Sequence, residues 1–211
     1  MIKRITTAVF VACMFAVVVP SATADLFLYG DLPGTDVMYL DIQEDTRNTP
    51  PPLFGTPDIT GNKLDFDPTM FTAGPVSDGS AITDAQLNFT LMSNLDTFGI
   101  DQVIIEENGD FTLVGLGGAQ AVSTVGTVVN FTVTHIDGVP TVVPDGQAIM
   151  TFTPATGPDN GEWDLVMPGA STATPWAGSL TLDIAQFLAD NNISGLATKI
   201  EFAIDNTLTA A

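Results

Sequence analysis

The sequence predicts an all-β protein, a two-layer antiparallel β-sandwich of jelly-roll type with one short helix near residues 183–191. Three observations lead there. Short runs rich in Val, Ile, Thr and Phe alternate apolar with polar residues, which is the period of a half-buried strand. Gly, Pro, Asp and Asn separate these runs at turn-length intervals. No strand–helix–strand rhythm is present, so roughly ten short strands are left to pair with one another around a shared core.

Residues 37–42 are the first expected strand. Residues 47–57 hold Pro50, Pro51 and Pro52 in succession and cannot feed a sheet ladder with donors, so they are expected as a long loop or extended edge. Residues 63–67 give a short strand with Leu64 and Phe66 on one face. Residues 81–93 alternate most cleanly, with Leu87, Phe89 and Leu91 facing one way and Asn88 and Thr90 the other. Strands follow at 99–106 and 110–114, joined at Glu107-Asn108-Gly109, because Asn-Gly supplies the positive φ of a two-residue hairpin turn. The series continues through 122–135, 139–143 and 147–153, with turns at Asp137-Gly138 and Asp145-Gly146. Strands at 176–182 and at 199–204, with Phe202 inward, complete it. Between those two, Asp183 can accept from the free N–H groups of a first helical turn. Ile184, Phe187 and Leu188 then repeat at helical spacing before Asn191 and Asn192.

Residues 1–24 carry the three-part pattern of an export signal. Lys3 and Arg4 precede an apolar stretch over 8–19, and Ala22 and Ala24 satisfy the small-residue cleavage rule. The expected organisation is therefore a signal peptide over 1–24 and a single β-sandwich domain over 25–211. Cleavage removes Cys13, the one cysteine, and with it any disulfide, thiol nucleophile or thiolate metal site. What remains sets Arg47, Lys63 and Lys199 against 25 Asp and Glu. Such a surface repels nucleic acid and anionic membranes, so neither is an expected partner, and no membrane insertion is expected after cleavage. The expected location is outside a bacterial cell, secreted or held at its surface.

Few constellations carry chemistry. A Ser-His-Asp hydrolase needs an imidazole, and the sole histidine, His135, lies at the end of a Thr-rich strand without a Gly-x-Ser-x-Gly elbow. Glycoside hydrolysis needs two facing carboxylates. Glu106, Glu107, Glu162 and Glu201 are candidates, but their spacing selects no pair. Calcium is the cation that so many acids in an exported sandwich would hold, and the densest groups are Asp41, Glu44 and Asp45, then Asp65 and Asp67. Neither follows the Asp-x-Asp-x-Asp-Gly loop, and solvated acids that keep the chain soluble account for the same residues. Trp163 and Trp176 flank a Pro/Gly/Thr-rich loop over 167–175. They would meet at one end of the sandwich, either as a stacking platform for sugar rings or as core. Sequons stand at Asn88, Asn130 and Asn192, two of them inside expected strands, where a Thr-rich chain generates the pattern by chance.

Four stretches carry a family resemblance: Gly61-Asn62-Lys63-Leu64-Asp65-Phe66-Asp67-Pro68, Ile82-Thr83-Asp84-Ala85-Gln86-Leu87-Asn88-Phe89, Gly109-Asp110-Phe111-Thr112-Leu113 and Ile204-Asp205-Asn206-Thr207-Leu208. In their order the chain resembles the uncharacterised secreted β-sandwich proteins of bacteria that use the PEP-CTERM sorting system. The residues to Ala211 do not include the Pro-Glu-Pro motif of the sorted members. The resemblance implies an extracellular, surface or matrix-associated protein. The expected function is thus that of a non-catalytic exported β-sandwich of a cell surface or extracellular matrix, with polysaccharide or other surface proteins as partners. Two alternatives stand beside it: a carbohydrate-binding module working through Trp163 and Trp176, and a hydrolase acting on polysaccharide.

Overall fold

The computed structural model describes residues 26–46, 52–74, 79–115, 121–155, 159–165, 169–170 and 173–211. The expected signal peptide and residues 47–51 of the Pro-rich segment lie outside them, as do 166–168 and 171–172 of the loop between the tryptophans. In chain order the elements are β1 (Leu26–Pro33), β2 (Val37–Asp45), β3 (Asp58–Thr60), β4 (Lys63–Asp65), β5 (Ala81–Ser93), β6 (Gln102–Phe111), β7 (Val114–Gly115) and β8 (Ala121–Ile136). They continue as β9 (Val139–Pro140), β10 (Gly146–Ile149), β11 (Thr151–Thr153), β12 (Glu162–Leu165), β13 (Gly169–Ala170), β14 (Thr174–Asp183), α1 (Ile184–Asp190) and β15 (Ala197–Ala210).

The strands build an all-β sandwich whose layers differ in width. The larger sheet runs β1-β2-β5-β15-β8-β10, with β12 and β9 also pairing β8, and the smaller runs β11-β14-β6. Period-two burial holds the layers together. In β5, Ala85, Leu87, Phe89 and Leu91 point inward, as do Val129, Phe131 and Val133 of β8 and Ile200, Phe202 and Ile204 of β15. Each of the larger side chains, Ala85 apart, contributes about 1.5–3 kcal/mol on removal from water. Phe202 lies opposite both Phe89 and Phe131 in register, so three rings share one cross-strand row. Phe89 and Phe202 stack at 5.2 Å, and Phe131 meets Phe187 of α1 edge-on at 4.9 Å. That contact docks the helix, whose first turn is capped where the Asp183 carboxylate accepts the Gln186 N–H at 2.8 Å.

Three strands cannot cover six. Beside β1 and β2 the core is completed by the segment after the Pro-rich run, with Leu53 and Phe54 buried and Phe66 and Phe71 packed against Phe54 at 5.9 and 5.3 Å. Residues 52–57 carry no strand, as their prolines predict. A second cluster, Leu113, Ala121, Val125, Met150, Phe152 and Trp163, fills the other end.

Several expectations need correction. The expected hairpin at Glu107-Asn108-Gly109 does not form: β6 runs unbroken from Gln102 to Phe111 and pairs along its length with β14. Gly109 lies opposite Trp176, and a Cβ there would sit 2.7 Å from the indole ring. The glycine makes room for an aromatic neighbour instead of a left-handed turn. The expected strand over 147–153 changes layer at Met150: β10 pairs β8 of the large sheet, and β11 pairs β14 of the small one. Only Val139–Pro140 of the 139–143 segment is strand, and β1, which opens on an apolar run and does not alternate with polar residues, supplies an edge of the large sheet beyond the expected strands.

Candidate functional site

The outer face of the large sheet carries the most developed polar surface. Its origin is a triplet that occurs twice, Asn88-Phe89-Thr90 in β5 and Asn130-Phe131-Thr132 in β8. Both strands flank β15, whose Glu201-Phe202-Ala203 runs antiparallel to each. Since successive side chains point to opposite faces, the inward row of phenylalanines forces two outward rows. Asn88, Ala203 and Asn130 form one, and Thr90, Glu201 and Thr132 the other. Gln43 of β2 extends the amide row beyond Asn88, and Gln147 of β10 extends it beyond Asn130.

These rows floor a groove of about 680 Å³. Ala203, the shortest side chain in its row, makes the hollow at the centre. Asp41 rises on one side at a register shift of β2, with φ at 52° and its backbone N–H bonded to Asp31 Oδ1 at 2.9 Å. Asp145 stands on the other side, accepting the Thr132 hydroxyl at 2.6 Å. Gln147 Nε2 donates to Asn130 Oδ1 at 2.8 Å, which fixes both amides. The lining combines donors and acceptors of amides and hydroxyls with three carboxylates and no cationic side chain. Such a surface can exchange hydrogen bonds with a hydroxyl-rich ligand and repels an anionic one.

The residues singled out for metal binding do not converge. Glu44 is fully buried beneath the Pro-rich segment, where its carboxylate accepts from the Leu53 N–H, from the Phe54 N–H at 3.2 Å and from the Tyr29 hydroxyl at 2.6 Å. It anchors that segment to β2. Burial, together with this carboxylate, holds the Tyr29 hydroxyl well above its ordinary ionisation range. Asp45 faces the opposite side of β2, opposite Gln86, while Asp41 belongs to the groove. Asp65 pairs with Lys63 at 3.0 Å in solvent, and Asp67 is exposed. Among the described residues no three His, Cys, Asp or Glu side chains come together as a metal site.

Trp163 and Trp176 do meet, with ring centroids 6.2 Å apart. They meet inside the protein. Trp163 is 3% exposed, stacks on Phe111 at 4.6 Å and donates its indole N–H to the Pro154 carbonyl at 2.9 Å. Trp176 is half-buried with its edge toward Phe152. Trp163 therefore offers no flat open face as a sugar platform. His135 is half-buried on β8, 3.1 Å from Thr134 Oγ1.

The four glutamates separate in the same way. Glu106 is exposed on β6 and Glu162 is half-buried on β12. Glu107 spans the layers, accepting from Thr127 Oγ1 at 2.8 Å and Asn206 Nδ2 at 2.9 Å, and desolvation raises its carboxyl above the ordinary value. Glu201 alone of the four lines the groove, with Thr90 and Thr132 as its cross-strand neighbours and the Asp41 and Asp145 carboxylates at the two sides. Asn88 and Asn130, read in the sequence as chance sequons, are the residues that define the site. The repeated Asn-Phe-Thr triplet was the available signal. Compared with protein-family models, with curated proteins and with solved structures, the chain matches none.

Proposed function

We propose that the chain is an exported β-sandwich that acts without catalysis at a cell surface or in an extracellular matrix, holding a matrix component in the groove of its large sheet. One observation carries the reading: five neighbouring strands present an unbroken set of amide, hydroxyl and carboxylate groups around the Ala203 hollow. Interfaces between proteins draw their affinity from a dehydrated apolar centre, whereas the outward side chains here, Ala203 apart, are amides, hydroxyls and carboxylates, which suit a hydrated ligand. The non-catalytic part of the proposal follows the sequence, in which the spacing of the glutamates selects no facing pair and no Gly-x-Ser-x-Gly elbow accompanies His135. The export pattern of residues 1–24 supports the location.

The test expresses the full chain in a bacterial host with an export apparatus, purifies the product and measures its retention on washed extracellular matrix. Wild type should be retained, and Ala203→Trp, which fills the hollow from the outer face, should not. Equal retention of both, or recovery of the product only in the cytoplasm with Met1 intact, would remove the reading.

A further inference from the structure

The two Asn-Phe-Thr triplets are related by translation, and this bears on what the groove takes. Strands β5 and β8 are both antiparallel to β15, hence parallel to each other, and the same residues of each triplet face the same residues of β15. Asn88 and Asn130 therefore stand on the same face at the same register, two strand spacings apart, or about 9.6 Å. Thr90 and Thr132 repeat their hydroxyls by the same step. Gln43 and Gln147 carry the amide row one strand further on each side, so it spans four spacings, about 19 Å, across the sheet. A single small molecule has no use for a translational repeat of this length. A polymer whose hydroxyl pattern recurs along its axis does.

We propose that this groove binds an extended, uncharged glycan lying across the strands, with one sugar ring seated in the hollow over Ala203. The inference rests on the groove being the functional surface. Asn88 and Asn130 each offer a carbonyl and an NH₂ to vicinal hydroxyls, and Glu201 accepts from a hydroxyl pair at the floor. The carboxylates of Asp41 and Asp145 extend that acceptor set at the two rims and turn away uronate or sulfated chains. No aromatic ring lies open in the floor, because the phenylalanines of these strands face inward. Binding is therefore directed by hydrogen bonds, is weak per ring and gains strength from chain length.

The experiment is affinity electrophoresis of the purified full-chain product in gels containing soluble cellulose derivatives, mixed-linkage glucan, mannan or xylan, beside gels containing alginate or polygalacturonate. Retardation by at least one neutral polymer and by neither uronate is expected, growing with polymer length. Ala203→Trp and the double variant Asn88→Ala/Asn130→Ala should each lower the association constant at least tenfold. Far-ultraviolet dichroism and melting of the double variant, which changes only the outer face, should match wild type. Retardation by uronates alone, or neutral-polymer binding unchanged in a folded double variant, overturns the proposal. If no neutral glycan binds while retention on whole matrix still depends on Ala203, the glycan assignment fails and the groove reading survives. If neither depends on Ala203, both fall.

Discussion

Glu107 reaches from β6 of the small sheet across the sandwich to Thr127 on β8 and Asn206 on β15, lying between two apolar clusters. Desolvation dominates over these two hydrogen bonds and raises its pKa above 4.5. A carboxyl raised on folding favours the native state while protonated and loses that contribution as pH rises through the folded value. The protonated form has a further use here. Turning the Asn206 amide would bring its buried, unpartnered oxygen to Glu107, where a carboxylic acid can donate to it. Because every other surface acid also titrates, the measurement is a difference: urea unfolding of wild type against Glu107→Gln at several pH values. The stability of wild type relative to the variant should fall steadily as pH rises from 4.5. A difference that stays flat or grows with pH contradicts the assignment. Glu44 shows the opposite use of a buried carboxylate, since three donors converge on it and tie the Pro-rich segment to the sheet.

At the scale of elements, β6 separates two readings of one dipeptide. Asn108 would need positive φ in a hairpin turn, but in the observed strand it faces solvent opposite Ala177. Asn108→Thr should therefore stabilise the fold by a few tenths to about 1 kcal/mol, since β-branched residues suit an exposed strand position. Destabilisation by more than about 1 kcal/mol in a denaturant titration would restore the turn. The helix gives a parallel case. Asp183→Ala removes the acceptor for the Gln186 N–H and should cost about 1 kcal/mol. The sequence located this helix because a cap and an apolar stripe are both local. It misplaced the hairpin because the glycine of Asn-Gly is also what a strand needs when a tryptophan from its neighbour must lie close against it.

For the whole molecule, a formal charge of −20 on 211 residues sets the chain against itself. Raising sodium chloride toward about 0.15 M, where the Debye length is about 8 Å, should lift the melting temperature. Calcium chloride at equal ionic strength should lift it equally, because Asp41, Glu44, Asp45, Asp65 and Asp67 stand in separate surroundings. A larger rise with calcium would reveal a cation site. Residue type and spacing within one segment were enough for the all-β class, the inward row of β5, the inward Phe202 of β15, the capped helix and the acidity. Which strands become neighbours was settled in the folded molecule. That choice placed Asn88, Ala203 and Asn130 in one row, sent Trp163 into the core and gave Glu44 to the Pro-rich segment. A sheet surface is written across strands, one residue from each, while a sequence records residues along them.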